Sequence, residues 1–278
     1  MPKFTVEPLC NALGAEIIGL DLREELDAET IKDLRDAWLE HLVLLVRGQD
    51  LNEAQQVRFA GYFGEPYSNT RVEEFGDTDG MDKHILPITN ITKDGKPIGV
   101  LREGELQFHS DSAFHEEPLM ATVLYAVELP SEGGNTLFSN MYAAYETLSA
   151  DDQETLCRYR AMNAYDYGAM TRRGRAAEDS PHAVHPVIRT HPETGRKVVY
   201  VNKLMTEEIV DLDPAESDAT LERLFALAEN RDFIYEHKWR LGDILIWDNR
   251  CTQHARTDFP PDQIRYLKRV GIAGDRPF

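Results

Sequence analysis

The sequence predicts a mainly-β protein, a β-sandwich or jelly roll with helices packed outside it, on three observations. From about Leu119 onward the texture is one of short apolar, strand-like segments separated by turns and long insertions. The regular β–α alternation of a doubly wound parallel sheet is missing, and neither GxGxxG nor GxxxxGK[ST] offers a nucleotide a cradle. No Ser/Gly-rich or Pro-rich linker, low-complexity tract or repeat divides the 278 residues, so one domain spanning 1–278 is expected, large enough to bury its own core.

The elements follow in order. Asp27 can cap a helix in which Ile31, Leu34, Trp38 and Leu42 keep helical spacing. Residues 42–46 form a short, wholly apolar run, as in a buried strand, and Asn52 opens a second helix running toward Tyr62. Residues 120–127 read as a strand, closed by the turn Ser131-Glu132-Gly133-Gly134-Asn135. Residues 198–201, 243–247 and 265–273 read as further strands. Asp213 caps a helix with Pro214 at its first position and Glu216 completing a capping box, and Leu221, Leu224, Phe225 and Ala228 form its buried stripe.

Lys and Arg total 30 against 49 Asp and Glu, a formal charge of −19. That balance argues against nucleic acid or an anionic membrane as a partner over a large face, but leaves room for a small basic pocket. Cys10, Cys157 and Cys251 are odd in number and fit no CxxC pattern, which reads as free thiols in a reducing compartment. MPKFTVEPLCNALGAEI has no continuous apolar core, and no run approaches the ~18 residues of a membrane span, so a cytoplasmic protein is expected.

The sharpest local signal is His109-Ser110-Asp111. In an extended segment residues i and i+2 share a face, so the imidazole and the carboxylate can converge on one ion. Glu105, Gln107 and His109 would then share that face, with Leu106 and Phe108 opposite. Alone, the pattern is equally a surface His beside a turn-forming Asp. The far end of the chain adds to it: the strand at 243–247, then His254, then Arg265 and Arg269 on one face of the last strand, about 13 Å apart at ~3.3 Å per residue. Buried guanidinium groups must meet anions, either a ligand's or those of the many acidic side chains. Two His and one carboxylate form the facial triad of non-haem Fe(II) oxygenases, whose 2-oxo acid co-substrate needs a cation for its remote carboxylate.

HSD at 109–111, GGNTLF at 133–138, VHPVIRTHPETGR at 184–196 and WDNRCTQHA at 247–255, followed by Arg265 and Arg269, resemble the taurine dioxygenase/2,4-dichlorophenoxyacetate dioxygenase family. The similarity runs from LGAEIIGLDL at 13–22 to the final AGDRPF. The resemblance implies a double-stranded β-helix, a lid insertion around 160–180 and a homo-oligomer. It implies His109, Asp111 and His254 as iron ligands, and Thr136 with Arg265 on the distal carboxylate of 2-oxoglutarate. Arg269 matches a residue that contacts the sulfonate in taurine dioxygenase, and Ser112 would offer its backbone N–H nearby. Phe114, Tyr165 and Met205 match apolar or aromatic positions of the substrate pocket. Asn69 stands where taurine dioxygenase carries a sulfonate-binding His, so the pocket holds less positive charge and poor activity on taurine is expected. In the lid stretch, Arg172, Arg173 and Arg175 could steer an anion or simply be solvated.

The implied activity is that of an Fe(II)- and 2-oxoglutarate-dependent dioxygenase, which uses O2 to oxidise a C–H bond of a small anionic organic substrate and releases succinate and CO2. Two rivals stay open on the residues: a Zn²⁺ hydrolase on the same three ligands, and a non-catalytic small-molecule binding protein on the same scaffold. Of the other histidines, His185 and His191 are expected to bond the backbone, His115 to stand outside a complete triad, and Cys251 to be a buried thiol.

Overall fold

In a computed structural model, residues 3–68, 80–101, 104–165 and 179–278 are described. The N-terminal half carries β1 (Thr5–Pro8), β2 (Ala15–Ile18), α1 (Ala28–His41), β3 (Val43–Val46), α2 (Glu53–Gly61), β4 (Ile85–Thr89), β5 (Thr92–Lys93), β6 (Lys96–Pro97) and β7 (Leu106–His109). The middle carries β8 (Ala121–Glu128), β9 (Thr136–Asn140), α3 (Met141–Glu146), α4 (Ala150–Leu156), β10 (Arg160–Ala164), β11 (His182–Pro186), β12 (Ile188–Thr190), β13 (Lys197–Val199) and β14 (Thr206–Ile209). The chain closes with α5 (Pro214–Ala228), β15 (Ile234–His237), β16 (Ile244–Asp248), β17 (Thr252–Arg256) and β18 (Tyr266–Ile272).

A seven-stranded sheet of order β1-β2-β3-β16-β8-β18-β4 and a four-stranded sheet of order β15-β9-β17-β7 form the jelly roll. Alternation decides what lies on each face of the large sheet. Val43, Leu45, Leu124, Leu245, Trp247 and Leu267 join Phe108, Phe138 and Ala255 of the small sheet in one core cluster. Their neighbours Leu44, Val46, Val123, Ile244, Ile246 and Val270 pack on the other face against Leu34 and Trp38 of α1 and Phe59 of α2. Strands β3 and β16 are therefore buried on both faces, which is why residues 42–46 carry no polar position.

The caps follow the sequence closely. The Asp27 side chain accepts from Thr30 N–H, and Asn52 and Gln55 make a reciprocal capping box. Several expectations are corrected. Leu42 is not a helical residue; it is the left-handed cap that ends α1 (φ 67°), and it turns into the core between the sheets while Leu34 and Trp38 face the other side. Asp213 caps α5 by accepting from Ala215 and Glu216 N–H, without a return bond from the Glu216 side chain among the described residues. The strands expected at 198–201 and 265–273 are β13 and β18, each ending earlier. Of the stretch expected as a lid, residues 160–164 form β10, paired with β11 and β14, and 166–178 lie outside the described residues.

Candidate active site

Strand β7 delivers His109 from one edge of the small sheet, and β17, its neighbour, delivers His254 directly opposite, with ring centroids 4.1 Å apart. Asp111 arrives differently from the sequence expectation. The strand ends at His109, and a turn with Ser112 in the left-handed region (φ 59°) carries the carboxylate back toward the imidazoles. Ser110 pins the turn by donating to Thr252 O (3.0 Å). Oδ1 of Asp111 lies 3.9 Å from Nε2 of His109 and 4.0 Å from Nε2 of His254, too long for hydrogen bonds and open to a cation between them.

The donor set suits a metal ion. His109 Nδ1 is held 2.9 Å from Gln107 O, which turns Nε2 inward with its lone pair free. Nδ1 of His254 is buried without a hydrogen-bond partner among the described residues. Burial lowers the His109 pKa, and burial together with the His109 ring pulls His254 down to about 3, so both imidazoles are neutral, the form that ligates. Burial works to raise the Asp111 carboxyl, but the Arg269 guanidinium and the Thr122 hydroxyl hold the group ionised well below the usual range.

The three side chains line a cavity of about 460 Å³, within the range of small-molecule sites. Thr136, Arg265, Arg269, Ser112, Phe114, Tyr165 and Met205, all expected site residues, line it too. Asn69 and Arg172, Arg173 and Arg175 lie outside the described residues. Phe114 stacks on Tyr165 at 5.3 Å, and both pack with Leu204 and Met205 as an apolar wall.

Arg265 is 2 % exposed; its Nε donates to Gly134 O (3.1 Å), and it makes no ion pair among the described residues. Burial, and then the neighbouring charge of Arg256, pull its pKa down to about 9, the mark of a guanidinium short of an anion. Gly133-Gly134 makes room for it: a Cβ on Gly134 (φ 63°) would stand 2.9 Å from Arg265 Nε. Thr136 accepts from Trp239 Nε1 (3.0 Å), leaving its own hydroxyl proton to donate elsewhere.

One expectation about faces changes, and one about partners is decided. Leu106 lines the cavity beside His109 instead of pointing away, because a register shift between His254 and Arg256 sets two residues of β7, Gln107 and Phe108, against Ala255 alone of β17. Arg269 does share the cavity-facing side of β18 with Leu267, but an anion of the chain already meets it: its Nη2 lies 3.2 Å from Asp111 Oδ1. Arg256 was missed, although two-residue alternation from His254 on β17 is enough to find it; it is buried and lines the cavity.

A second cluster, His191, Asp248 and Cys251, also has metal-like spacing. Its lone pairs are committed. Asp248 accepts from Arg250 Nε (2.9 Å), Nη2 (2.6 Å) and backbone N–H (2.9 Å), and contacts His191 Nε2 (3.0 Å). His191 thus bonds a carboxylate as well as the backbone N–H groups of Glu193 and Thr194, where backbone alone was expected; His185 does bond a backbone oxygen, that of His115. Burial works to raise the Asp248 carboxyl, but Arg250 and His191 hold it well below the carboxylate range. A depressed carboxyl stabilises the fold above its unfolded pKa, near 4, and that contribution is lost as pH falls toward the folded value. Asp248→Asn is therefore expected to lose about 3–5 kcal/mol at pH 7 by urea unfolding, with the gap to the parent narrowing at pH 3. A gap independent of pH would contradict the ion-pair account.

Comparison with known proteins adds the family. The profile of the taurine catabolism dioxygenase TauD, TfdA family matches residues 5–270. A pentalenolactone F synthase from Streptomyces avermitilis is 35% identical over 96% of this chain and 93% of its own length. An (S)-phenoxypropionate/alpha-ketoglutarate-dioxygenase from Sphingobium herbicidovorans is 31% identical over 99% and 96%. The crystal structure of a taurine dioxygenase from Burkholderia xenovorans superimposes with a TM-score of 0.82 at 32% identity, covering 99% of this chain and 93% of that one.

Proposed function

Because the chain belongs to the taurine catabolism dioxygenase TauD, TfdA family, it is an Fe(II)- and 2-oxoglutarate-dependent dioxygenase, and we propose that it hydroxylates a C–H bond of a small organic acid. The observation that carries this reading is one cavity with two neutral imidazoles and a carboxylate at one wall and the buried cation Arg265 at another.

In this reading His109, Asp111 and His254 hold the iron, and Thr136 and Arg265 receive the distal carboxylate of 2-oxoglutarate. Bound there, the metal supplies the redox chemistry that couples O2 and decarboxylation of 2-oxoglutarate, to succinate and CO2, to oxidation of the substrate. The chain supplies position. Arg265, fixed by Gly134, is a planar fork that suits a carboxylate and aims the 2-oxo end of the co-substrate at the triad. Phe114, Tyr165 and Met205 exclude water and hold an apolar body. Arg269 touches Asp111 through Nη2, while its buried Nε has no hydrogen-bond partner among the described residues. The side chain is 20% exposed and lines the cavity with Ser112, so its charge suits the substrate's acid group.

Arg269→Ala is expected to raise the substrate KM at least about tenfold while shifting 2-oxoglutarate affinity by less than about threefold. Comparable damage to both would place Arg269 with the triad or the co-substrate. A screen of sulfonates, aryloxyalkanoates and aliphatic carboxylates, read by succinate release, tests the substrate class. A monoanionic carboxylate with an apolar body should exceed taurine, and taurine as the preferred substrate would overturn the reading.

The same reading takes residues 1–278 as one domain, since the large sheet contributes to both main core clusters. The three cysteines are free and no helix of the described residues is long and apolar enough to cross a membrane, which supports a cytoplasmic setting. Assembly as a homo-oligomer is part of the proposal on family resemblance.

A further inference from the structure

The two oxygens of Asp111 have unlike surroundings. Oδ1 faces the two imidazoles and Arg269. Oδ2 is taken by Thr122, whose hydroxyl stands 2.5 Å away on β8. Thr122 is fully buried, and its position in a chain of hydrogen bonds fixes the direction of its proton. The Trp247 indole is a donor with no acceptor, so the Asn249 atom 2.8 Å from Nε1 must be the amide oxygen. Asn249 Nδ2 then donates to Thr122 Oγ1 (3.0 Å), and the Thr122 proton points at Asp111 Oδ2. Each role is forced by the one before it, from an indole packed in the core to the site carboxylate. The Asp111 backbone N–H also reaches Asn249 Oδ1, at 3.4 Å.

We propose that Thr122 is a positioning residue that keeps Asp111 a one-oxygen ligand, holding Oδ2 away so that the metal offers free positions to a 2-oxo acid binding through two oxygens. The inference rests on the reading of Asp111 as a ligand. Without the hydroxyl, Oδ2 loses its donor, and the carboxylate is free to swing both oxygens toward the ion. It then occupies a position that the co-substrate needs. Metal binding survives, and co-substrate binding weakens.

The test uses the Co(II)-loaded protein, with 2-oxoglutarate affinity measured by calorimetry and the ligand-field absorption of Co(II) recorded before the co-substrate is added. Thr122→Val, which keeps the volume, should bind 2-oxoglutarate about tenfold more weakly and show an altered Co(II) spectrum, as expected for loss of one charge-assisted hydrogen bond. Thr122→Ser, which restores the hydroxyl, should return both readouts to near the parent. A valine variant with the parent's spectrum and affinity overturns the proposal, and so does equal loss in the serine and valine variants, which would mark a packing role. Asp111→Ala separates the underlying reading: parent-like Co(II) binding and spectrum in that variant would remove Asp111 as a ligand, and the proposal with it, whatever the Thr122 variants do.

Discussion

Asp111→Ala is expected to abolish 2-oxoglutarate turnover and to weaken metal binding by more than about 100-fold, while the fold stays intact. Loss of groups that merely support a ligand costs about 10–100-fold in affinity, and here one of three ligands and the site's negative charge go together. The fold survives because the carboxylate borders a cavity instead of a packed core, and Arg269, 20% exposed, can turn to water there. Metal content, succinate release and thermal midpoint measured on one preparation check this. Fe(II)-dependent succinate release at the parental rate would show that Asp111 is not a ligand.

Arg265→Leu is expected to weaken 2-oxoglutarate binding by roughly 30-fold or more. Removing a charged partner from a buried carboxylate typically costs about 2–5 kcal/mol, at ~1.4 kcal/mol per decade. The second half of the expectation concerns stability and has the opposite sign from most buried substitutions. The guanidinium is desolvated with no ion pair among the described residues, so leucine removes a cost and the co-substrate-free protein should not melt lower than the parent. Unchanged 2-oxoglutarate affinity would overturn the assignment, and a large loss of stability would mean that Arg265 serves the fold.

Local chemistry was legible in the sequence. Asp27, Asn52 and Asp213 cap where their residue types say they should, and the apolar run before Arg47 is a strand buried on both faces. His109, Asp111 and His254 could be singled out because HxD and the late His resemble a family, and the structure brings them together across the 142 residues between Asp111 and His254. Long-range partners were not legible. Nothing in the spacing of the last strand says that Arg269 meets Asp111, because that contact depends on the turn through Ser112, whose backbone leaves the strand path. Leu106 was placed on the wrong face because a bulge is a property of two strands, and the sequence of β7 alone cannot show it. Thr122 sits within an apolar strand, and only its register against β16, beside Trp247, reveals that its hydroxyl has a carboxylate to serve.

The central claim is that one cavity holds the metal at His109, Asp111 and His254 and the co-substrate's far end at Arg265. A crystal structure with Mn(II) and 2-oxoglutarate, grown without O2, tests it most directly. The account predicts metal density bonded to both imidazoles and to Oδ1 of Asp111, with Oδ2 still on Thr122 and the distal carboxylate on Arg265 and Thr136. Metal at His191, Asp248 and Cys251, or a distal carboxylate seated on Arg269, would contradict it.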